Sequence, residues 1–419
     1  MRRSRFPLSG IERSMVIQMK IAMMTNSYKP FLAGVPISIE RLAESLRRQE
    51  HHTVVFAPSY DGQQEETDIV RYRSMLRNIA CGFSVPDCLD PAIEKSFREG
   101  GFDLIHVHHP MMIGNMAGYL SKKYEVPLVF TYHTRYEQYL HYIGLSAFRE
   151  AIPAYIRHFT RKCDLVIAPT PLMKQHLIES GVETKICVLP TGIEEENFFP
   201  NGERADEIRQ KVLGNRKYLF CSVARLAKEK NIEFLLRSMK LRKDKCGADF
   251  KLLLIGEGPY RTHLEESVKA LGLRDEIVFT GNVPNREIKN YCHASDLFLF
   301  ASESETQGIV LLEAMASGTP VLAVRATGTE DIVVDGVNGY MTGASETEFV
   351  EELMDILEKK ELEILRAGAL ATAGKYTCEE MGKRAVEIYE EAVRERREKI
   401  RWQNIHHRKN KRGMLYSHG

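Results

Sequence analysis

Short, continuously apolar runs alternate with helical patterns along most of this chain, and that alternation limits the folds open to it. KIAMMT (20–25) reads as a strand, 37–49 as an amphipathic helix and HTVVFAP (52–58) as the next strand. FDLIHVHH (102–109), PLVFTYHT (127–134) and LVIAPT (165–170) continue the series, with helical segments between them. The second half repeats it with YLFCSVA (218–224), FKLLLIG (250–256), EIVFTG (276–281), LFLFAS (297–302), TPVLAV (319–324) and GYMTG (339–343). Strands that are apolar throughout are buried on both faces, which means parallel sheets covered by helices. Two such blocks predict an α/β protein with two doubly wound, Rossmann-like domains and a cleft between them.

The 419 residues leave room for two or three domains, each with a core of its own. The break is expected in VLPTGIEEENFFP (188–200), which Pro190, Gly192 and Pro200 punctuate. The expected organisation is an N-terminal extension (1–18), a first domain (19–187), a second domain (188–377), a C-terminal helix (378–401) packing back toward the first domain, and a basic tail (402–419). The first strand pattern begins at Met19, so residues 1–18 are a loose extension or Met19 is the natural start.

A net charge of +1 predicts no acidic or basic partner for the molecule as a whole, so any such preference must be local. The eight cysteines are scattered, with no CxxC and no companion histidine at zinc spacing, and read as buried free thiols in a reducing compartment. No apolar run reaches the ~18 residues of a spanning helix. Glu12 and Arg13 interrupt the opening MRRSRFPLSGIERSMVIQM, which is therefore not a secretory signal. The expected location is the cytoplasm.

The chemistry concentrates in ASESETQGIVLLEAMASGTPVLA (301–323). A strand ends at Ser302, a turn follows, and a helix starts near Gln307 and Gly308. Glu305 thus sits at the carboxyl end of a parallel strand, where open α/β sheets bind ligands. The first helical N–H groups, from Gln307, Gly308 and Ile309, can receive a phosphate, and Gly308 lets a ligand approach the backbone. Glu313 lies about 1.5 turns into the helix and leans back toward its start. Both carboxylates can therefore flank one ligand and accept hydrogen bonds from sugar hydroxyls. Taken alone, Glu305 could equally cap the helix and Glu313 be a half-exposed helix residue.

Arg225 and Lys230, in SVARLAKEKNIEFLL (222–236), follow another strand. Two cations there suit a diphosphate and charge developing on a leaving group, though a solvated basic loop would look the same. IGEGPY (255–260), which includes Glu257, is a glycine turn of a common kind. FTYHTRYEQYLHYIG (130–144) places His133, Arg135 and Tyr136 at a strand tip facing the cleft.

The E-x7-E spacing of Glu305 and Glu313, with TQG between them, resembles the retaining group 1 glycosyltransferases, which have the GT-B fold. The resemblance runs from about Met19 to Met381. It implies that Glu305 meets the donor sugar, Glu313 meets the nucleotide ribose, and Arg225 and Lys230 clamp the donor pyrophosphate. It places Thr306, Gln307, Gly308, Ile309 and Glu257 in the donor site. Asn282 and Val283, in FTGNVP (279–284), then stand where the base is read through backbone groups. The loop NSYKPFLAGVPISIERLAESL (26–46) resembles the family's phosphate-approaching loop, with Ala33–Gly34 where many members have Gly-Gly. His133 takes the position that touches the donor sugar near the reacting carbon.

HTRYEQYLHY, VARLAKEKNI and SETQG together look like the monoglucosyldiacylglycerol synthases and their relatives, which glucosylate diacylglycerol at the cytoplasmic membrane face. That implies UDP-glucose as donor, a lipid acceptor near Arg135, Tyr136 and Tyr139, and a peripheral position on the inner face of an anionic membrane. A lipid acceptor requires a membrane-docking surface. LSAFREAIPAYIRHFTRKC (145–163) interleaves apolar and basic residues and could supply it, though an ordinary domain helix with a basic face reads the same; 394–412, with nine Lys/Arg against two Glu and the sole tryptophan, Trp402, could be a second contact or a solvated tail. Residues 71–100, where this family docks through a strongly basic helix, are only mildly basic. The absence of D-x-D argues against an obligatory protein-held metal and leaves Mg2+ as a non-obligatory partner. The alternatives are a soluble or polysaccharide acceptor, and a nucleotide-binding membrane-surface module without catalysis. A regulatory dinucleotide-binding protein is less favoured, because no GxGxxG follows the first strand.

Overall fold

The computed structural model describes residues 18–30, 34–60, 66–79, 83–136, 150–359 and 361–415. Its two large sheets are wholly parallel. In the first half the strands are Lys20–Met24 (β1), His52–Pro58 (β2), Ile69–Tyr72 (β3), Leu104–Val107 (β6), Leu128–Thr131 (β7), Leu165–Ala168 (β8) and Ile186–Val188 (β9), in the spatial order 3-2-1-6-7-8-9. A small antiparallel hairpin, Ser74–Ile79 (β4) and Phe83–Pro86 (β5), sits apart from this sheet. The second half has Tyr218–Val223 (β10), Phe250–Ile255 (β11), Ile277–Gly281 (β12), Leu297–Phe300 (β13), Val321–Val324 (β14) and Gly339–Thr342 (β15), in the order 12-11-10-13-14-15.

Both orders reverse direction beside their first strand. That leaves a crevice at the carboxyl ends of β1 and β6 in one sheet and of β10 and β13 in the other. The α/β class and the pair of Rossmann-like sheets read from the apolar runs are the observed ones. β3, β9 and the hairpin are the strands that the runs do not announce.

The glycine turn after β11 fixes the loop after β10. The Leu226 N–H donates to the Glu257 carbonyl at 2.9 Å, and the Tyr260 N–H donates to the Leu226 carbonyl at 2.9 Å. A Cβ on Gly258 would collide with the Leu226 carbonyl oxygen, so only glycine lets the two backbones lie this close. Gly258→Ala is expected to cost about 2–4 kcal/mol of stability, read as a lower urea midpoint. An unchanged midpoint would contradict this packing.

The chain crosses between the halves twice, side by side. The Ile193 N–H donates to the Tyr376 carbonyl at 2.7 Å, and the Cys378 N–H donates to the Ile193 carbonyl at 2.9 Å. The helix Cys378–Leu415 then packs on the first half. Met381, Ala385, Tyr389 and Ala392 form a buried stripe at helical spacing against Ile39, Ala43 and Leu46. The helix continues well past residue 401, so much of the stretch read as a basic tail is helical, and Trp402 and Ile405 are exposed on it.

Candidate active site

Two loops of the second half meet at the β10/β13 crevice. After β10, Arg225 is exposed and its Nη2 lies 3.1 Å from Glu229 Oε1. The 3₁₀ turn Lys228–Lys230 then brings Lys230 Nζ to 2.5 Å from Glu305 Oε1. After β13, the Ser302 hydroxyl donates to the same Glu305 oxygen at 3.1 Å. The helix that follows, Ile309–Ala316, is preceded by Gly308 at φ +68°, a left-handed conformation that suits glycine. It begins one or two residues later than the sequence pattern suggests. Its first orphan N–H groups therefore start at the cap residue Gly308 rather than at Gln307. Lys230, Glu305 and the start of this helix come together as one polar cluster at the sheet's switch point.

The other expected residues divide between this cluster and the interface of the two halves. The Thr306 hydroxyl donates to the His133 carbonyl at 2.8 Å. The Gln307 side chain is buried and clasps the backbone of Thr191, accepting from its N–H at 2.8 Å and donating to its carbonyl at 3.0 Å. Glu313 Oε1 accepts from Arg41 Nη2 at 2.6 Å. Glu257 pairs with Arg261. Asn282 is exposed just after β12, while Val283 packs on the core. Gly34 opens the helix Gly34–Arg48 with space around its Cα; Ala33 lies outside the described residues.

Arg135 and Tyr136 follow β7 beside His133 and are half-buried. Tyr136 packs on the core, its ring centroid 6.0 Å from that of Tyr132. Tyr139 lies outside the described residues. So do 145–149 of the basic segment that could be a membrane contact or an ordinary domain helix. Its described part, the helix Ala151–Thr160, buries Ile152, Ile156 and Phe159 in the core, so that apolar stripe is not free to enter a bilayer. Among its described residues, the mildly basic 71–100 stretch holds the end of β3, the β4–β5 hairpin and one helix, Pro91–Gly100. Among the described residues, no helix is long and apolar enough to cross a membrane.

A chain of histidines, with His106 and His108 buried and His109 and His133 half-buried, backs the cleft from the first half. His133 Nε2 lies 2.9 Å from His108 Nδ1. His106 bridges the Thr131 hydroxyl at 2.6 Å and the Tyr389 hydroxyl at 2.7 Å. His109 Nδ1 accepts from the Asn26 N–H at 3.2 Å. Burial holds His106 down to about 3 and His109 down to about 4. Burial, reinforced by the neighbouring imidazoles, keeps His108 and His133 well below the ordinary value. The folded protein thus keeps these rings neutral where an unfolded chain would protonate them, at pH below about 6.5. Stability should be fully present above pH ~6.5 and fall as pH drops below it, by up to ~1.4 kcal/mol per pH unit for each such histidine. Urea midpoints at pH 7.5 and pH 5 check this, and equal midpoints would contradict it.

Residues 32–197 match Glycosyltransferase Family 4, and residues 203–367 match Glycosyl transferases group 1. The alpha-monoglucosyldiacylglycerol synthase of Streptococcus pneumoniae is 30% identical over 341 residues, covering 77% of this chain and 75% of that protein. This chain belongs to the group 1 glycosyltransferases. The enzyme of the same name from Acholeplasma laidlawii is 26% identical over 398 residues, covering 91% of this chain and 99% of its own. Among solved structures, Anabaena Alr3699/HepE in complex with UDP and glucose superposes with a TM-score of 0.72 at 20% identity, over 89% of this chain and 100% of that one. That likeness shows the GT-B fold. The protein is therefore a GT-B, nucleotide-sugar-dependent glycosyltransferase, and the β10/β13 cluster is its candidate donor site.

Arg41, Thr191 and Ser302 reach this site without a motif that announces them. The one regularity that could have pointed to Arg41 is the spacing of Ser38, Arg41 and Ser45, which share a second buried face of the helix Gly34–Arg48.

Proposed function

We propose that this glycosyltransferase moves glucose from UDP-glucose to a membrane lipid of the 1,2-diacylglycerol class, keeping the donor's anomeric configuration. The observation that carries the donor reading is the cluster of Lys230 and Glu305 at the switch point, with Arg225 beside it, at the start of a helix. Cations and orphan N–H groups there suit a diphosphate, and carboxylates suit sugar hydroxyls. Similarity to two alpha-monoglucosyldiacylglycerol synthases supports the lipid acceptor. The exposed Trp402 and Ile405, on a helix with basic residues, supply a surface that an anionic membrane would attract.

In this reading the acceptor hydroxyl oxygen forms a bond to the anomeric carbon from the face the diphosphate leaves. The bond from that carbon to the phosphate oxygen breaks, and the hydroxyl proton passes to the departing phosphate. Arg225 and Lys230 stabilise the charge that collects on it. Glu305 holds the sugar, Glu313 the ribose, and His133 closes on the sugar from the other half. Closing the halves would exclude water.

The test is labelled UDP-glucose incubated with the purified protein and diacylglycerol in anionic mixed micelles, followed by lipid extraction and proton NMR of the product. The expected result is label in the lipid phase with an α-glycosidic coupling. A β-linked product would reject retention. Label left in water as intact donor would reject this donor–acceptor pair, and label on a soluble acceptor would move the protein to the soluble-acceptor reading.

A further inference from the structure

Glu313 stands on the helix that begins at the donor site, but its strongest contact comes from the other half of the molecule. Arg41, on the helix Gly34–Arg48, is 2% exposed and reaches Glu313 Oε1 at 2.6 Å, from 272 positions away in the chain. Its Nη1 donates to the Gly192 carbonyl at 3.3 Å, and its Nε faces Glu194 Oε1 at 3.6 Å. The other Glu313 oxygen, Oε2, has no protein partner among the described residues. Arg41 also lines a small pocket with His108, His133 and Thr191, beside the segments where the chain crosses between the halves.

A buried guanidinium is a poor device for stability alone, since desolvation offsets most of what the pairing returns. Its planar fork is a good device for fixing the plane of a carboxylate. Burial by itself would lower the Arg41 pKa, but the Glu313 and Glu194 carboxylates more than reverse this, so the group stays charged.

We propose that Arg41 is a positioning residue for the nucleotide sugar: by holding Glu313 Oε1 it orients the carboxylate so that Oε2 meets the ribose hydroxyls. The inference rests on the reading of Glu313 as the ribose ligand. It adds that donor binding in one half depends on a side chain supplied by the other. The TQG turn makes two further links of this kind, Thr306 to His133 and Gln307 to Thr191, so the segment that cradles the donor is also the one that touches the first half.

The test measures UDP binding by calorimetry, and the KM for UDP-glucose, in wild type, Arg41→Met, Arg41→Lys, Glu313→Gln and Arg41→Met/Glu313→Gln. Arg41→Met should weaken UDP and raise the donor KM about tenfold, the size of one charged hydrogen bond. The KM for the acceptor and kcat should change little. Arg41→Lys should recover part of the loss. In the Glu313→Gln background the Arg41→Met effect on UDP should vanish, which a purely structural role would not produce. UDP affinity in Arg41→Met equal to wild type, or an effect that adds fully to that of Glu313→Gln, would overturn the inference and leave the donor reading standing. If Arg41→Met does not fold, Arg41→Lys decides: an intermediate affinity upholds the proposal and an unchanged one overturns it. Wild-type UDP binding indifferent to Glu313→Gln would instead sink the donor reading, and this inference with it.

Discussion

Glu305→Ala is expected to lower sugar transfer at least about a hundredfold, ~2.7 kcal/mol of barrier, and Lys230→Ala by a similar factor. The two side chains are 2.5 Å apart, and the Ser302 hydroxyl adds a second bond to the same Glu305 oxygen. Removing Glu305 leaves Lys230 half-buried without that carboxylate and removes the group proposed to hold the sugar. Removing Lys230 takes away the less exposed of the two cations proposed to meet the diphosphate, since Arg225 lies farther out. In a site closed to water, a charge aimed at a developing anion is worth several kcal/mol. Thermal unfolding should shift far less than activity, because the pair is half-exposed at a loop rather than in the core. The check is kcat/KM for transfer in each variant, and near-wild-type turnover in either would contradict the site.

Gly328→Ala is expected to cut transfer by at least about tenfold although residue 328 bears no chemistry. The short helix Thr327–Glu330 lies directly behind the Glu305 turn. A Cβ on Gly328 would collide with the Glu305 Cβ and come within 2.8 Å of its carbonyl oxygen. The Gly328 carbonyl in turn lies close to Gly308, at the start of the donor-site helix. The added methyl has backbone on its far side and cannot be absorbed by rotating a distant side-chain end. The turn must shift and carry the carboxylate with it, and a displacement of this kind is costly for a positioned group. Transfer rate and thermal midpoint, measured together, separate displacement from unfolding. A variant with wild-type kcat would show that the Glu305 turn does not depend on this packing.

Much of the architecture could be read from residues alone because burial on two faces writes itself into composition. LFLF and VLAV have no polar face to offer, so they can only be inner strands of a covered sheet. Edge and peripheral elements leave no such mark. Ile69–Tyr72 contains an arginine, Ile186–Val188 is three residues long, and the β4–β5 hairpin lies outside both large sheets. The local part of the candidate site was legible for the same kind of reason. Lys230 and Glu305 each follow a strand, and the strand order of a doubly wound sheet brings those two loops together. What depends on the meeting of the halves was not legible. Nothing in ETQG says that Gln307 clasps Thr191, or that Glu313 is met by Arg41 from the first half. The 145–163 stretch leaves two readings open for a related reason: apolar residues at helical spacing look alike whether they face a core or a bilayer, and here Ile152, Ile156 and Phe159 face the core, as in an ordinary domain helix.

The second sheet's switch point is proposed to hold a nucleotide diphosphate sugar. A crystal structure of the protein with UDP tests it most directly. The two phosphates are expected within hydrogen-bond reach of Arg225, Lys230 and the N–H groups at the start of the helix Ile309–Ala316, with the ribose hydroxyls on Glu313. UDP seated elsewhere, in the crevice of the first sheet or away from Lys230 and Glu313, would contradict it.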